Sequence, residues 1–342
     1  MVSRPHPCYR LHMTQNENVA WAPALIPGLA KLSDGTRTYS DFRGTLKTNY
    51  SRVRMGILLT WALVFATLTF EFLFPELSVY LLPFFVIVVA LSQHRLLNVI
   101  HEGAHYLIAK NRRGNDLFTN IVAGCFFLVD VDQYRITHIR HRKDLGGPDD
   151  PENAHMDKLD FSWLVAAFSG FGAIARLLTR KKFRDRLDYG KKVSHIVVPL
   201  IGVALHASVL VLIVAFFPTV VLATWVLSTY VVTPGLGLLR NLLEHKYVEV
   251  VDVEIWSHLF ERTNILDRRR ENVTTRTFTS SALSRLYGSM GFTRHLLHHW
   301  DPSISFTNLK KVHEFLLQTP LGPSLESTNT TFTSTFKHLW RK

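Results

Sequence analysis

The histidines are the residues of this sequence with the clearest capacity for chemistry, because 17 of them stand in a chain of 342 residues. His101 and His105 are four residues apart, and His138 and His141 are three apart. On a helix, both spacings place two imidazole rings on one face, about a turn apart. Neutral imidazole is a common ligand of first-row transition metals, so each pair is a candidate half of a metal site.

Two further segments carry histidines in the second half of the chain. His295, His298 and His299 supply three rings within five residues, while Asn241 and His245 stand one helical turn apart. Chance placement is a poor account of eight imidazoles in four short segments. We therefore expect these segments to converge on one site at one face of a membrane.

The number of imidazoles predicts the kind of metal site. A single zinc ion takes four ligands, which leaves half of the set unused, whereas two metal ions use nearly all of it. The two cysteines, Cys8 and Cys125, do not form a CxxC pair, so a thiolate site is not expected. A thiolate-free, nitrogen-rich dinuclear site favours redox-active iron that reacts with dioxygen.

The composition predicts a membrane protein, since 47% of the residues are hydrophobic and the mean hydropathy is +0.10. A spanning helix needs about 20 mostly apolar residues. Four stretches meet this requirement, and only two residues separate the members of each pair, so we predict two helical hairpins. The stretches are Met55 to Phe74, Leu77 to Leu91 (extended to Arg95), Ile196 to Phe217 and Val220 to Leu239.

The basic residues predict how the chain lies in the membrane. The net charge is +12, and neither hairpin turn contains Lys or Arg, so we expect both termini and the histidines on the cytoplasmic side. The run from Arg176 to Lys192 is expected to contact anionic lipid, and no nucleic-acid motif is present. Leu117 to Val129 and Phe161 to Leu178 are shorter and are interpreted as interfacial helices.

The predicted fold is therefore an all-α integral membrane protein. It has four transmembrane helices as two hairpins, interfacial helices, and a cytosolic cap rich in histidine. We expect a cytosolic N-terminal segment (residues 1–50), a membrane domain (51–315) and a C-terminal tail (316–342).

In chain order, the motifs resemble those of the membrane fatty acid desaturase superfamily, which includes alkane and carotenoid hydroxylases, and especially its bacterial branches. The resemblance covers residues 55–315. It implies a non-haem diiron centre at the cytosolic ends of the spans, with dioxygen as oxidant. The motifs are HxxxH at 101–105, HxxH at 138–141 followed by KDLG and DDPE, NxxxH at 241–245, and HxxHH at 295–299 followed by WDP.

The resemblance also implies individual roles. Asn241 would hold a metal-bound water, and a separate ferredoxin or cytochrome b5 would supply electrons, since the chain has no His-Pro-Gly-Gly haem signature. The iron ligands implied are His101, His105, His138, His141, His245, His295, His298 and His299.

One position departs from the family pattern. The second motif usually reads HxxHH, but Arg142 stands where its last histidine is expected, and a guanidinium stays protonated and cannot act as a ligand. Either another group replaces that histidine or the site is impaired. The nearest candidates for the replacement are Asp149, Asp150 and His155, which can equally orient ligand rings.

The predicted function is an O2-dependent desaturase that introduces a double bond into the aliphatic chain of an acyl-lipid or acyl-carrier. The first alternative is a hydroxylase of a lipid or small-metabolite C–H bond. The others are an intramembrane zinc protease with Glu102 as general base and a scaffold disabled by Arg142.

Some histidines lie outside these motifs. His94 is predicted to be interfacial, and His206 is either a packing residue or part of a substrate channel. The rest are predicted to be solvated or interfacial: His6, His12, His195, His258, His313 and His338.

Overall fold

The structure is a computed structural model that describes residues 35–144, 150–151, 159–170, 190, 192–245, 275–279 and 281–340. Across these ranges the secondary structure is helical, and an isolated bridge joins Thr277 and Asn329. The predicted all-α membrane fold is confirmed. His6, His12, Asp149, His155 and His258 lie outside the described residues, as does most of the run from 176 to 192.

Helices are numbered here in chain order over the described residues. They are α1 (Tyr39–Gly44), α2 (Tyr50–Leu73), α3 (Pro75–Ala104), α4 (Arg112–Thr119, continued by a π-helical turn at Asn120–Gly124), α5 (Val131–Asp144), α6 (Phe161–Phe168), α7 (Ser194–Phe216), α8 (Thr219–Val226, continued by a π-helical turn at Leu227–Val232), α9 (Thr233–His245), α10 (Ala282–Tyr287), α11 (His295–Trp300, preceded by a 3-10 turn at Phe292–Arg294), α12 (Leu309–Leu317), α13 (Gly322–Ser327) and α14 (Phe332–Trp340).

Among the described residues, four helical segments are long and apolar enough to cross a membrane. They match the four predicted stretches, but two extend further towards the histidines than hydropathy indicated. Helix α3 continues to Ala104, and the fourth segment runs from Thr219 through α8 and α9 to His245. The second and fourth spans run in the same direction, so their carboxyl ends, which carry His101 and His245, lie on the same side.

Local sequence fixes where the first two spans begin. The Asn49 side chain accepts a hydrogen bond from the Arg52 backbone N–H and so caps α2. Pro75 occupies the first position of α3, where its missing N–H leaves no donor unsatisfied. The α2–α3 turn is therefore tight, as the two-residue connection predicts.

The spans pack through an apolar core and leave an apolar belt outside. Val64, Val89, Ile213 and Trp225 come from all four spans and are buried together. On α7, by contrast, most side chains are exposed, including Phe216 at 70%. An exposed apolar belt of this kind suits contact with lipid tails.

Polar side chains inside the bundle are paired across helices. Gln93 on α3 donates to Thr229 Oγ1 (2.9 Å) and accepts from Thr233 Oγ1 (2.9 Å) at the π-helical turn. His206 Nε2–H donates to the Phe126 carbonyl (2.7 Å), and Nδ1 accepts from the Tyr230 hydroxyl (2.9 Å). Both His206 nitrogens are therefore used in packing contacts between elements.

The prediction that His94 is interfacial is wrong. Its ring is 1% exposed and stacks on Tyr287 with centroids 5.0 Å apart. The prediction for His195 is also wrong, since it is 8% exposed and its Nε2 lies 3.0 Å from Asp132 Oδ2. In both cases a partner that is distant in sequence covers the ring.

The segment after the last histidine motif is fixed by an ion pair from the N-terminal side. Asp301, which is 1% exposed, accepts from Arg43 Nε (2.6 Å) and from the Tyr39 hydroxyl (3.0 Å). Around it, Trp300 and Leu316 pack in one apolar cluster with Tyr39. These contacts hold α1 and α12 against α11, which carries three of the predicted ligands.

Candidate metal centre

Four histidines from three elements form one group, which we call cluster A: His101, His105, His138 and His298. One ring nitrogen from each lies within 4.8 Å of those of the other three. His101 is in the last turn of α3, and His105 caps that helix. His138 on α5 faces His105 with their Nε2 atoms 3.0 Å apart.

Three histidines form a second group, which we call cluster B: His245, His295 and His299. His245 is the last residue of α9, and the other two are one turn apart on α11. The Nε2 atoms of His295 and His299 are 3.0 Å apart. His141 borders this group, since its ring centroid is 5.1 Å from that of His245.

The two clusters are direct neighbours. The ring centroids of His101 and His295 are 5.6 Å apart, and those of His138 and His141 are 6.1 Å apart. The fold thus brings together all eight histidines that the sequence analysis singled out. Separation on this scale fits two metal ions in one dinuclear site.

Burial keeps these rings neutral, the form that binds metal. Outside the spans, burial lowers the pKa of His105, His138, His295 and His299 well below the usual range. It lowers the pKa of His298 to about 3, with a further contribution from the Arg142 guanidinium. Deprotonated imidazoles at neutral pH are the donor set that a transition metal requires.

Several ring nitrogens are buried without a hydrogen-bond partner among the described residues. Both nitrogens of His101 and of His298 are in this state, and so is Nδ1 of His299. A buried polar atom without a partner is destabilising and calls for an explanation. Metal coordination provides one, so the residues fit the group that their pattern implies.

Second partners orient some of these rings. The His141 Nδ1–H donates to Asp150 Oδ1 (2.7 Å), and both groups are fully buried. A hydrogen bond from a ring nitrogen to a carboxylate is the usual support of a metal-binding histidine. Tyr134 stacks on His138 with centroids 5.6 Å apart and nearly parallel rings.

Arg142 lies beside both clusters. Its Nη2 donates to the His299 backbone carbonyl at 2.5 Å. Its charge contributes to the lowered pKa of His105 and His138 in cluster A and of His299 in cluster B. Arg142 therefore lies next to the histidines and is hydrogen-bonded to the backbone of α11.

The other candidates have different surroundings. Asn241 is 5% exposed and lies one turn before His245 on α9. Glu102, the general base of the protease alternative, accepts from the Phe306 backbone N–H (3.2 Å). Of the proposed substitutes for the missing histidine, Asp150 contacts His141 as described.

Sequence reasoning missed three residues at the site. Phe292 contacts both clusters, with its ring 4.8 Å from His101 and 4.7 Å from His295. The Arg240 guanidinium carbon lies 4.1 Å from the centroid of this ring. Glu244 is 1% exposed, and its Oε2 lies 3.9 Å from His295 Nε2. The spacing of Arg240 and Glu244, four residues apart on one helix, was the available signal.

A third group of possible ligands contains Asp130, Asp132 and His195. Its carboxylates already have cationic partners, since Asp132 pairs with Lys192 Nζ (2.7 Å) and Arg135 Nη1 (3.0 Å). The arrangement is that of an ion-pair network joining α5 to the start of α7.

Comparison with known proteins agrees with this geometry. The family model described as "Fatty acid desaturase" matches residues 77–324, which include both clusters. A search among curated proteins gives no match to the chain. Membership of this family removes the zinc protease alternative. The chain belongs to the fatty acid desaturase family, a family of oxidoreductases that includes hydroxylases.

Proposed function

We propose that this chain is an O2-dependent, non-haem diiron desaturase that introduces a double bond into the aliphatic chain of an acyl-lipid or acyl-carrier. The observation that carries this proposal is the convergence of eight imidazoles at the end of apolar spans. Seven form two adjacent clusters and His141 borders them, and all except the half-buried His105 are buried. When bound, two iron ions supply the redox chemistry with dioxygen that an unactivated C–H bond requires.

The residues of the chain have three tasks in this proposal. The rings of cluster A would hold one iron, and those of cluster B together with His141 would hold the other, while Asn241 would hold a water on the metal. Asp150 orients His141 through the 2.7 Å hydrogen bond. The burial of the histidines keeps bulk water away from the reacting chain, which limits competing reactions.

The overall reaction balances as follows. The substrate loses two hydrogen atoms from neighbouring carbons and gains a C=C bond, a two-electron oxidation. A separate ferredoxin or cytochrome b5, reduced by its reductase, supplies two more electrons, and two protons come from solvent. Dioxygen accepts four electrons in total and leaves as two water molecules.

We further propose that the chain is a multi-pass membrane protein whose termini and metal centre lie on the cytoplasmic side. The positive charge outside the hairpin turns supports this orientation. Residues 51–315 would form the membrane domain, with residues 1–50 as a cytosolic segment and 316–342 as a tail.

Turnover in lipid vesicles tests the function. Detergent-purified protein would be loaded with iron, reconstituted with acyl-lipids, and supplied with NADPH, a ferredoxin and its reductase, or with cytochrome b5 and its reductase. We expect oxygen consumption and an unsaturated product detected by gas chromatography and mass spectrometry. His138→Ala should abolish turnover, whereas His313→Ala, a half-buried ring outside both clusters, should retain it.

The products decide between the members of the superfamily. An alcohol in place of an alkene would identify the hydroxylase alternative. Absence of turnover with every donor, in protein that holds iron, would contradict the proposed activity and favour the disabled scaffold.

A further inference from the structure

The two clusters differ in the number of imidazoles that they offer. Cluster A has four ring nitrogens mutually within 4.8 Å, whereas cluster B has three. Arg142, beside both, carries a guanidinium where the family pattern has an imidazole. With His141 at its border, cluster B reaches the same four rings as cluster A, but Arg142 donates to the backbone of its His299, so the missing donor is expected there.

Glu244 is a carboxylate at the edge of cluster B. It precedes His245 on α9 and is 1% exposed. Its Oε2 lies 3.9 Å from His295 Nε2 and 3.4 Å from Arg240 Nε. A carboxylate is rarely buried to this degree unless it is paired or coordinates a metal.

The side of the His295 ring that Glu244 approaches is informative. Nε2 of His295 is the nitrogen that faces His299 Nε2 at 3.0 Å, so it is the nitrogen directed at the shared metal position. Glu244 approaches this same nitrogen. A carboxylate that merely orients a ligand ring contacts the opposite nitrogen, as Asp150 does with Nδ1 of His141.

The distance also suits two donors of one ion. With metal–ligand bonds of about 2.0–2.2 Å, two ligands of the same ion are separated by about 3–4 Å. The Glu244–His295 separation of 3.9 Å lies in this range.

Charge balance points the same way. Arg142 donates to the backbone of His299, and Arg240 lies beside Glu244, so two guanidiniums border a cluster of neutral rings. A metal cation held there by imidazoles alone adds further buried positive charge. An anionic ligand at Glu244 offsets it.

We propose that Glu244 is a carboxylate ligand of the metal at cluster B and supplies the donor that the histidine motif lacks at Arg142. This inference rests on the proposed metal-binding function. It predicts that the metal ion at cluster B has both nitrogen and oxygen ligands. Cluster A remains an all-imidazole shell.

The test compares metal binding in purified full-length protein with three variants. Glu244→Gln keeps the size of the side chain but removes the anionic donor. Arg240→Gln removes the ion-pair partner of Glu244. Glu102→Gln is the matched control, because Glu102 is equally buried beside a cluster histidine but contacts the Phe306 backbone N–H. Iron per chain and Mössbauer spectra after loading with 57Fe provide readouts that do not depend on activity.

We expect about two iron ions in the native protein, in Glu102→Gln and in Arg240→Gln, and about one in Glu244→Gln. Affinity for the second ion should fall in Glu244→Gln by more than the about 10- to 100-fold that follows loss of a group that only orients a ligand. The Mössbauer signal of the remaining ion should match one of the two native sites. The ion retained at cluster A then shows that the variant protein is folded.

Two results would overturn the inference. The first is a Glu244→Gln protein that keeps both ions with native affinity and spectrum. The second is loss of the same ion from Arg240→Gln, which would show that Glu244 acts through its ion pair. Failure of the native protein to bind two metal ions would contradict the proposed function itself.

A further variant keeps the test decisive if Glu244→Gln loses both ions. Glu244→His provides a different donor at the same position. Recovery of about two ions in this variant supports the ligand role, and continued loss of both overturns it.

Discussion

Clusters A and B are built from different surroundings, although both hold buried histidines at the end of the spans. Two rings of cluster A come from the last turn and the cap of α3, a helix anchored in the bundle by Gln93. Cluster B is bordered by charged groups, with Glu244 and Arg240 on its own helix and Arg142 on α5. In the proposed dinuclear site, this difference would place charged neighbours beside one metal position more than beside the other.

This contrast has a chemical consequence. Burial and the Arg142 charge act on rings of both clusters, but the Arg240–Glu244 pair lies on a helix of cluster B. In cluster B, each change of a neighbouring charge alters the free energy of the bound cation. We expect substitutions around cluster B to tune the centre and substitutions within cluster A to destroy it.

The largest effect is expected from removing one ring of either cluster. His101→Ala should lose the metal of cluster A and retain that of cluster B, and His295→Ala should do the reverse. Either change should lower kcat by at least about 1,000-fold, because both ions are needed for the reaction. Iron analysis and turnover of the same preparations check this. The division into two clusters would be wrong if either variant retained both ions and a tenth of the native activity.

A smaller effect is expected at Asp150, which orients a ring without touching the metal. Asp150→Asn keeps a side chain that can accept the His141 Nδ1–H but removes its charge. Loss of such a partner lowers metal affinity by about 10- to 100-fold. Competition with a chelator of known affinity measures the change, and Asp160→Asn, at the N-cap of α6, is the control. An unchanged affinity would mean that packing alone holds His141.

The sequence was sufficient for the fold class and for the approximate position of every span. It was less informative about where the spans end. A hydropathy scan detects the turns of a helix that are apolar enough to lie in lipid. The last turns of α3 and α9 are instead covered by other parts of the protein. Leu96 and Ile100 pack in an apolar cluster, and Asn241 and Glu244 are buried at the site. Neither condition can be read from the composition of the segment itself.

The histidine spacing identified which rings converge, because pairs three or four residues apart share a helical face. It did not predict the neighbours supplied by tertiary contact. His94 was predicted to be interfacial because it lies two turns from His101. Its stacking partner, Tyr287, comes from α10, which is distant in sequence. Glu244 was missed because only the packing of α11 against α9 brings His295 within 3.9 Å of it.

The pH dependence of the metal-free protein should reflect the same burial. The pKa of His105, His138, His295, His298 and His299 is lowered on folding, so below about pH 6.5 the unfolded chain binds more protons than the folded one. Stability is then full at neutral pH and is lost as the pH falls, by up to about 1.4 kcal/mol per ring for each unit.

Thermal unfolding of metal-free protein in detergent at pH 7.5 and pH 5.5 checks this prediction. His298→Gln should reduce the dependence, since it removes one of the rings. A melting temperature that rises as the pH falls would show that the rings are protonated in the folded state.

The smallest effect is expected from restoring the family residue at Arg142. Arg142→His removes the hydrogen bond to the His299 carbonyl and adds an imidazole beside both clusters. If Glu244 already completes cluster B, the new ring has no vacant position to fill. The iron content should stay at about two per chain, with affinities within about threefold of the native values.

If instead the native protein binds one iron and the variant binds two, cluster B is short of a ligand in its native form. That result would leave the Glu244–Arg240 ion pair as a purely structural contact. The two substitutions are therefore complementary tests of the difference between the clusters, since Glu244→Gln removes the proposed donor and Arg142→His adds the histidine that the motif lacks.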